Sequence, residues 1–224
     1  KVPHLVTAGS NRVAVRVPNH LLTLKLLTKI GFPVAAPSAN PSGYISPTLP
    51  VHVEKQLGNK VAYILNGGPC PKGIESTILG WDTEGMPVIY RLGSITQHDI
   101  QTVIGVMPKI ISKEHKKLEA PGMLQAHYAP KTPTKLSSDI PKTLKDYSGK
   151  KVVAITLMPM EKNIAMVKNL YLSADGNLEE IARNLYKTLH SADSMDADVI
   201  IVEKAPDDGL GLAINDRLGR AASL

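Results

Sequence analysis

The chain has 224 residues, 43% hydrophobic and 21% charged, which is enough apolar material for one large domain or two small ones. No apolar run approaches the roughly eighteen residues of a transmembrane helix, and the first residues lack the pattern of a signal peptide. We therefore expect a folded, soluble and cytoplasmic protein. The single cysteine, Cys70, excludes an intramolecular disulfide, and the seven scattered histidines suggest no metal site.

The net charge of +6 is concentrated in the first half of the chain. Residues 1–110 hold ten Lys or Arg against five Asp or Glu, whereas residues 136–224 hold eleven against thirteen. Such a bias suits a phosphate-bearing ligand or a nucleic acid. Because aromatic residues make up only 4% of the chain, too few for a base-stacking surface, we favour a small anionic substrate.

In the first half, turns alternate with short elements typical of an α/β or α+β domain. The alternation from Arg12 to Val17 predicts a half-buried strand. Asn19 can cap a helix with apolar residues at helical spacing that ends at Gly31. Thr96, with Asp99 three residues later, opens a second helix that ends near Gly105. Further short strands are predicted at residues 33–36, 61–65, 74–79 and 88–91.

The second half has a more regular pattern. Residues 111–135 have no sustained periodicity and several prolines, so we interpret them as a linker between domains 1–110 and 136–224. Strands are predicted at residues 151–156 and 198–203, an amphipathic helix over residues 178–189, and a final helix over residues 210–222. This alternation predicts a small parallel-sheet domain.

Two polar clusters follow predicted strands. Residues 35–48, AAPSANPSGYISPT, offer hydroxyl, amide and backbone donors that suit phosphate oxygens, although composition alone favours a simple turn cluster. Residues 66–77, NGGPCPKGIEST, form neither a Walker loop nor a dinucleotide fingerprint. A purely structural interpretation of this segment is a hairpin-like connection in which Cys70 is a small buried hydrophobe.

A few charged residues allow two interpretations each. Arg16 and Arg91, in or beside predicted strands, suit two-pronged binding of a carboxylate or phosphate, or surface ion pairs. Glu75 suits a structural carboxylate that faces one of them. His127 suits an acid–base group or a turn residue. The sequence shows no Ser-His-Asp set, paired carboxylates or metal motif, so we assign no catalytic residue.

Six segments follow one another along the chain in this order: VAVRVP, APSANPSG with SPT, NGGPCPKGIESTI, YRLGSI, APGMLQAHYAP and GLGLAINDRLGRAA. Together they resemble the two-domain, YrdC-like family of L-threonylcarbamoyladenylate synthases over nearly the whole chain. The resemblance implies an α/β fold: a YrdC-like twisted mixed sheet with helices, incomplete at its N-terminus, and a small Rossmann-like parallel-sheet C-terminal domain. It also implies that ATP, L-threonine and bicarbonate give threonylcarbamoyl-AMP and pyrophosphate, for threonylcarbamoyladenosine modification of tRNA.

The resemblance further implies which residues form the site. Those expected to bind ATP are Ser38, Asn40, Ser46, Arg91, Tyr128 and Arg12. Those expected to bind threonine are Arg16, Ala36 and Ser76. The linker segment 120–130 is expected to fold over the site and exclude water. Mg²⁺ would enter with ATP, and tRNA and a downstream threonylcarbamoyl transferase would be partners.

One departure from the family pattern bears on activity. Family members carry an earlier Lys-x-Arg element that pairs with the Ser-x-Asn element on the phosphates, and none precedes Val13 here. Each charge-assisted contact contributes on the order of 1.5–3 kcal/mol, so we expect this chain alone to be nearly inactive. The alternative function is a double-stranded RNA or tRNA-binding module without catalysis, whose affinity would fall steeply with salt.

Overall fold

The computed structural model describes residues 2–7, 9–10, 12–111, 127–161 and 164–222. Six helices and seven strands lie within those ranges. The helices are α1 (Leu21–Ile30), α2 (Pro50–Leu57), α3 (Gln97–Ile104), α4 (Ile140–Lys145), α5 (Leu178–Asp193) and α6 (Gly209–Ala221). The strands are β1 (Ile78–Trp81), β2 (Pro87–Arg91), β3 (Lys109–Ile110), β4 (Thr134–Ser137), β5 (Val152–Thr156), β6 (Val167–Tyr171) and β7 (Val199–Glu203).

The first part of the chain contains a small mixed sheet. Strand β2 pairs antiparallel with β1 and parallel with β3, and its residues Val88 and Ile89 are buried. Helix α3 begins with the predicted capping box, in which Thr96 and Asp99 bond each other's backbone N–H, and ends at Gly105 with a left-handed φ of 76°. Both helix limits follow from side-chain chemistry visible in the sequence.

Three predicted strands of the first part are wrong. Residues 12–17, 33–36 and 61–65 lie outside every described strand, and Val15 and Val17 are each 84% exposed. An alternating pattern shows which side chains would share a face, but a strand also needs a neighbour to bond. Within the described residues, no strand lies beside these segments.

Helix α1 confirms a predicted end and corrects a predicted start. It ends at Gly31, whose φ of 66° is the left-handed conformation that favours glycine. Its N-cap is His20 rather than Asn19, because the imidazole Nδ1 accepts the Thr23 N–H. None of the residues of α1 is buried, although its apolar spacing predicted a packed face.

The second part is a four-stranded parallel sheet in the order β4-β7-β5-β6. Every residue of β5 is buried. Helices α5 and α6 cover one face and the short helix α4 covers the other. The predicted strands and helices of this domain are confirmed, whereas β4, α4 and β6 were not predicted. Strand β4 begins at Thr134, inside the segment interpreted as linker.

The two parts share one apolar core. Ile45 and Ile74 from the first part, with Tyr128 from the chain between them, pack among the buried residues of α5 and α6. Gly73, with φ 73°, lies so close to α5 that a Cβ there would overlap the backbone of Ala182 and Arg183. This main-chain approach fixes the first part against the parallel-sheet domain.

The longest described helix, α5, has 16 residues, and none of the described helices is long and apolar enough to cross a membrane.

Replacing Leu185 by Ala should lower the free energy of unfolding by about 2–5 kcal/mol, because this side chain is 0% exposed in the shared core. The exposed Lys187 on the same helix is the matched control, and Lys187→Ala should change stability by less than about 0.5 kcal/mol. Urea unfolding followed by circular dichroism measures both. Equal effects of the two substitutions would contradict the assigned burial.

Candidate functional site

The polar centre of the molecule is the carboxylate of Glu75. Its Oε1 accepts a hydrogen bond from Ser46 Oγ at 2.8 Å, and its Oε2 accepts from Tyr186 OH at 3.0 Å and from Arg217 Nε at 2.9 Å. Burial alone would raise the pKa of Glu75, but the charge of Arg217 and the hydrogen bonds from Arg217 and Ser46 hold it below its usual value. Glu75 is therefore ionised at neutral pH.

Arg217 enters this centre from helix α6 and is only 1% exposed. Besides Glu75, it donates from Nη2 to the Leu92 carbonyl at 2.6 Å and from Nη1 to Asp216 at 2.9 Å. Its guanidinium carbon also lies 5.7 Å from the centre of the Tyr128 ring. One buried cation thus contacts the 75–76 segment, the 91–92 segment and the end of the linker.

Two predicted ligand residues, Ser76 and Arg91, lie side by side. Arg91 Nε donates to the Ser76 carbonyl at 3.1 Å, and Nη2 donates to Ser76 Oγ at 3.4 Å. Their segments touch through the backbone, since a Cβ at Gly93 would overlap Thr77 N and the Glu75 carbonyl. Burial and the charge of Arg217 lower the pKa of Arg91. This corner presents a hydroxyl and a guanidinium together, which suits an anionic ligand group.

The Ser/Asn-rich loop is held by its own amide. Asn40 Nδ2 donates to the carbonyls of Tyr44 and Pro41, each at 2.9 Å. Asn40 Oδ1 is buried and receives no hydrogen bond from any residue in the described ranges. Asn40 thus stabilises the loop, as the turn interpretation predicts, and keeps one acceptor unused. Ser46, at the end of the loop, is 6% exposed.

The other predicted ligand residues lie apart from this centre. Arg16, Ala36 and Ser38 are exposed, and within the described ranges the side chains of Arg16 and Ser38 make no hydrogen bond. The Arg12 guanidinium bonds Tyr90 OH and lies over the Tyr90 ring. The structure therefore brings Ser46, Ser76, Arg91 and Tyr128 around Arg217 and Glu75. It leaves Arg12, Arg16, Ala36 and Ser38 outside that group.

His127 and Tyr128 are the first described residues after position 126. Tyr128 is 2% exposed and has a φ of 64°, a left-handed conformation that is strained for a residue with a side chain. The two rings meet edge to face with centroids 4.1 Å apart, and His127 N donates to the Arg220 carbonyl at 3.3 Å. Burial lowers the pKa of His127. The rest of the predicted covering segment, residues 120–126, lies outside the described residues.

Two further predictions are resolved here. Cys70 is exposed, so the interpretation as a small buried hydrophobe is wrong. Glu75 is a structural carboxylate, but its ion pair is with Arg217 rather than with Arg16 or Arg91. Among the described residues, no group of three His, Cys, Asp or Glu side chains could hold a metal ion.

A histidine pair at the domain boundary was not predicted. His190 on α5 contacts the Ser46 carbonyl through Nε2 at 3.2 Å, and its ring centroid lies 4.0 Å from that of His52. His52 Nδ1 accepts the Thr48 N–H at 3.2 Å. Burial, followed by the charge of His190, lowers the pKa of His52 to about 4, and burial lowers that of His190. Both rings are neutral at pH 7.

Tyr186 and Arg217 were also missed, although the sequence carries a signal for each. Both occupy the buried stripe of an amphipathic helix: Tyr186 follows Ile181 and Leu185 on α5, and Arg217 lies between Ile214 and Leu218 on α6. A polar side chain at a position that helical spacing assigns to the core needs a buried partner. That requirement points to a carboxylate elsewhere in the chain.

Comparison with known proteins shows the family to which the chain belongs. Residues 95–223 match the family described as "Threonylcarbamoyl-AMP synthase, C-terminal domain". The chain belongs to this family. Residues 1–93 match the family described as "Telomere recombination". These matches confirm the resemblance drawn from the six sequence segments.

Named relatives agree with the family match. The chain is 39% identical over 228 residues to threonylcarbamoyl-AMP synthase of Bacillus subtilis, covering 97% of this chain and 65% of that protein. It is 37% identical to threonylcarbamoyl-AMP synthase of Pyrococcus abyssi, covering 99% and 67%. The chain thus spans about two thirds of the length of the curated relatives it matches.

The fold matches a solved structure as well. The crystal structure of P. abyssi Sua5 complexed with L-threonine superposes with a TM-score of 0.86 at 36% identity, covering 99% of this chain and 67% of that one. A second structure, of a P. abyssi Sua5 variant in which a His–Tyr pair is replaced by alanines, gives 0.84 at 34% identity. The predicted α/β class, with a mixed sheet and a small parallel-sheet domain, is confirmed.

Replacing His52 by Asn should flatten the dependence of stability on pH. The pKa of His52 is about 4 in the folded protein against 6.5 ordinarily, so the neutral ring stabilises the fold above about pH 6.5. That contribution is lost as the pH falls from 6.5 toward 4, and for a partly exposed ring we expect it to be about 1 kcal/mol. The Asn Oδ1 can replace Nδ1 as acceptor for the Thr48 N–H.

Urea unfolding at intervals between pH 4 and 7 measures this effect, because the difference between the two proteins removes the titration that they share. The wild-type protein should lose more stability on acidification than His52→Asn. Parallel profiles would show that His52 titrates normally.

Proposed function

We propose that the gene product carrying this chain is an L-threonylcarbamoyl-AMP synthase. In this reaction L-threonine and bicarbonate form a carbamate with loss of water. A carbamate oxygen then attacks the α-phosphorus of ATP, and the bond to the bridging oxygen breaks, releasing pyrophosphate. The observation that carries the proposal is the superposition, over 99% of this chain, on a Sua5 protein described as complexed with L-threonine.

The charge of the site supports an anionic substrate. The centre holds arginine side chains, of which Arg217 pairs with Glu75 and Asp216, and Arg220 pairs with Asp216. Arg91 and Ser76 lie at the edge of this cluster, where a guanidinium and a hydroxyl suit a carboxylate or a phosphate. Threonine, the carbamate and ATP all carry such groups.

The division of roles follows the family resemblance. For threonine we propose Arg16, the Ala36 backbone and Ser76. For ATP, which enters with Mg²⁺ as part of the substrate, we propose Ser38, Asn40, Ser46, Arg91, Tyr128 and Arg12. None of these groups need act as an acid or base, because positioning and charge stabilisation supply most of the catalysis in transfer to phosphorus. The placement of Ser76 beside Arg91 supports these roles.

The wider setting belongs to the same proposal. We propose a nucleotidyltransferase whose product serves the threonylcarbamoyladenosine modification of tRNA through a downstream transferase. We propose that the protein acts in the cytoplasm. We propose that the chain divides into a catalytic part, residues 1–110, a linker, residues 111–135, whose last two residues begin β4, and a C-terminal domain, residues 136–224. The shared core supports a close association of the outer two.

The gene product should release pyrophosphate only when ATP, L-threonine and bicarbonate are all present. A coupled phosphate assay measures the release, and three controls each omit one substrate. Release without threonine would contradict the proposed reaction. If no release occurs and the protein instead binds double-stranded RNA with an affinity that falls steeply with salt, the RNA-binding alternative is correct.

Replacing Arg16 by Met should raise the KM for threonine by about ten-fold or more, because a charge-assisted contact with the carboxylate is worth roughly 1.5–3 kcal/mol. The KM for ATP should change much less. Arg183, exposed on α5, is the matched control, and Arg183→Met should leave both constants unchanged. If the two variants behave alike, Arg16 does not bind threonine.

A further inference from the structure

We propose that Arg217, in the C-terminal domain, is a positioning residue for the substrate pocket of the first domain. Its guanidinium holds the segments that carry Ser46, Ser76 and Arg91 in one arrangement. The inference rests on the proposed function, since these three residues are among those proposed to bind ATP and threonine.

Two partners of Arg217, Glu75 and Leu92, each adjoin a proposed ligand residue. The Nε bond at 2.9 Å goes to Glu75, which precedes Ser76, and the Nη2 bond at 2.6 Å goes to the carbonyl of Leu92, which follows Arg91. The guanidinium therefore sets the distance between the two segments. Their backbones already touch at Gly93, so a small movement of one segment would displace the hydroxyl of Ser76 from the Arg91 guanidinium.

Glu75 passes the same constraint to the Ser/Asn-rich loop. Its second oxygen accepts the Ser46 hydroxyl at 2.8 Å, and Ser46 is 6% exposed at the end of that loop. Tyr186 OH, at 3.0 Å, supports the carboxylate from α5. Ser46 is thus fixed through Glu75 by groups on helices α5 and α6 of the C-terminal domain.

The geometry requires an arginine at position 217 rather than a cation of any kind. The guanidinium donates in three fixed directions, to Glu75, Leu92 and Asp216, whereas a lysine ammonium on a flexible stem cannot reach the three together. Asp216 also accepts a hydrogen bond from Arg220, which holds the Asp216 carboxylate in place beside the Arg217 guanidinium. A buried guanidinium that bonds through all three of its nitrogen atoms favours one arrangement of its neighbours, because another arrangement would leave some of these polar groups unpaired.

A substitution at Asn215 distinguishes a positioning effect on the pocket from a general loss of stability. It lies two residues before Arg217 on α6, but its side chain bonds the N–H and carbonyl of Ala205 and the carboxylate of Asp207, all within the C-terminal domain. Asn215→Ala should therefore destabilise the domain without touching the three pocket segments. It is the matched control for Arg217→Met.

The kinetic experiment compares Arg217→Met, Arg217→Lys, Glu75→Gln, Asn215→Ala and the double variant of Arg217→Met with Glu75→Gln in the gene product. Each is assayed well below its own Tm. Arg217→Met should raise the KM for threonine by about ten-fold or more, and Arg217→Lys by a smaller factor. Asn215→Ala should stay within about two-fold of the wild type. The double variant should be no worse than Arg217→Met alone, because Glu75 acts through the same contact.

A second measurement does not need activity. Hydrogen–deuterium exchange should rise in residues 45–48, 75–77 and 91–93 of Arg217→Met, or of Arg217→Lys if the methionine variant does not fold, and should stay unchanged there in Asn215→Ala. Unchanged exchange in the arginine variants would overturn the inference, as would kinetic losses that only follow Tm in both Arg217→Met and Asn215→Ala. A wild-type protein that releases no pyrophosphate would instead overturn the proposed function.

Discussion

The buried ion pair of Arg217 and Glu75 is the constraint on which the rest of the structure depends. The two groups come from different parts of the chain. Removal of Arg217 would leave the Glu75 carboxylate without the cation that pairs with it, and removal of Glu75 would leave Arg217 paired with Asp216 alone among the described carboxylates. Breaking such a pair typically costs about 3–5 kcal/mol, comparable with the loss of a large core side chain. The domains are therefore joined by a specific polar contact as well as by an extensive apolar core.

The sequence predicted the C-terminal domain well because its signals are local. Strand β5 is a continuous apolar run, α5 has a full amphipathic stripe, and both elements complete their own hydrogen bonds within one domain. The segment from Arg12 to Val17 has an equally clear pattern but no described strand beside it. Alternation is a property of one segment, whereas a sheet is a property of two, so the pattern alone could not decide the outcome.

The site shows a similar division. Ser46, Ser76, Arg91 and Tyr128 were identified from family segments, and the structure gathers them around one cluster. The residues that gather them, Arg217 and Tyr186, escaped prediction because their partner Glu75 lies more than a hundred positions earlier in the chain. Periodicity shows that a buried arginine needs a partner, but only the fold selects which carboxylate it finds.

Gly73 carries a consequence for how such a protein tolerates change. There the first domain meets α5 through backbone atoms, with no side chain between them. Main-chain shape is the same whatever residues occupy the neighbouring positions, so this contact depends on the size of one residue rather than on a matched set. Neighbouring side chains can change within the limits of the shared core without altering this contact, whereas a single methyl group at Gly73 would require the first part of the chain or α5 to shift.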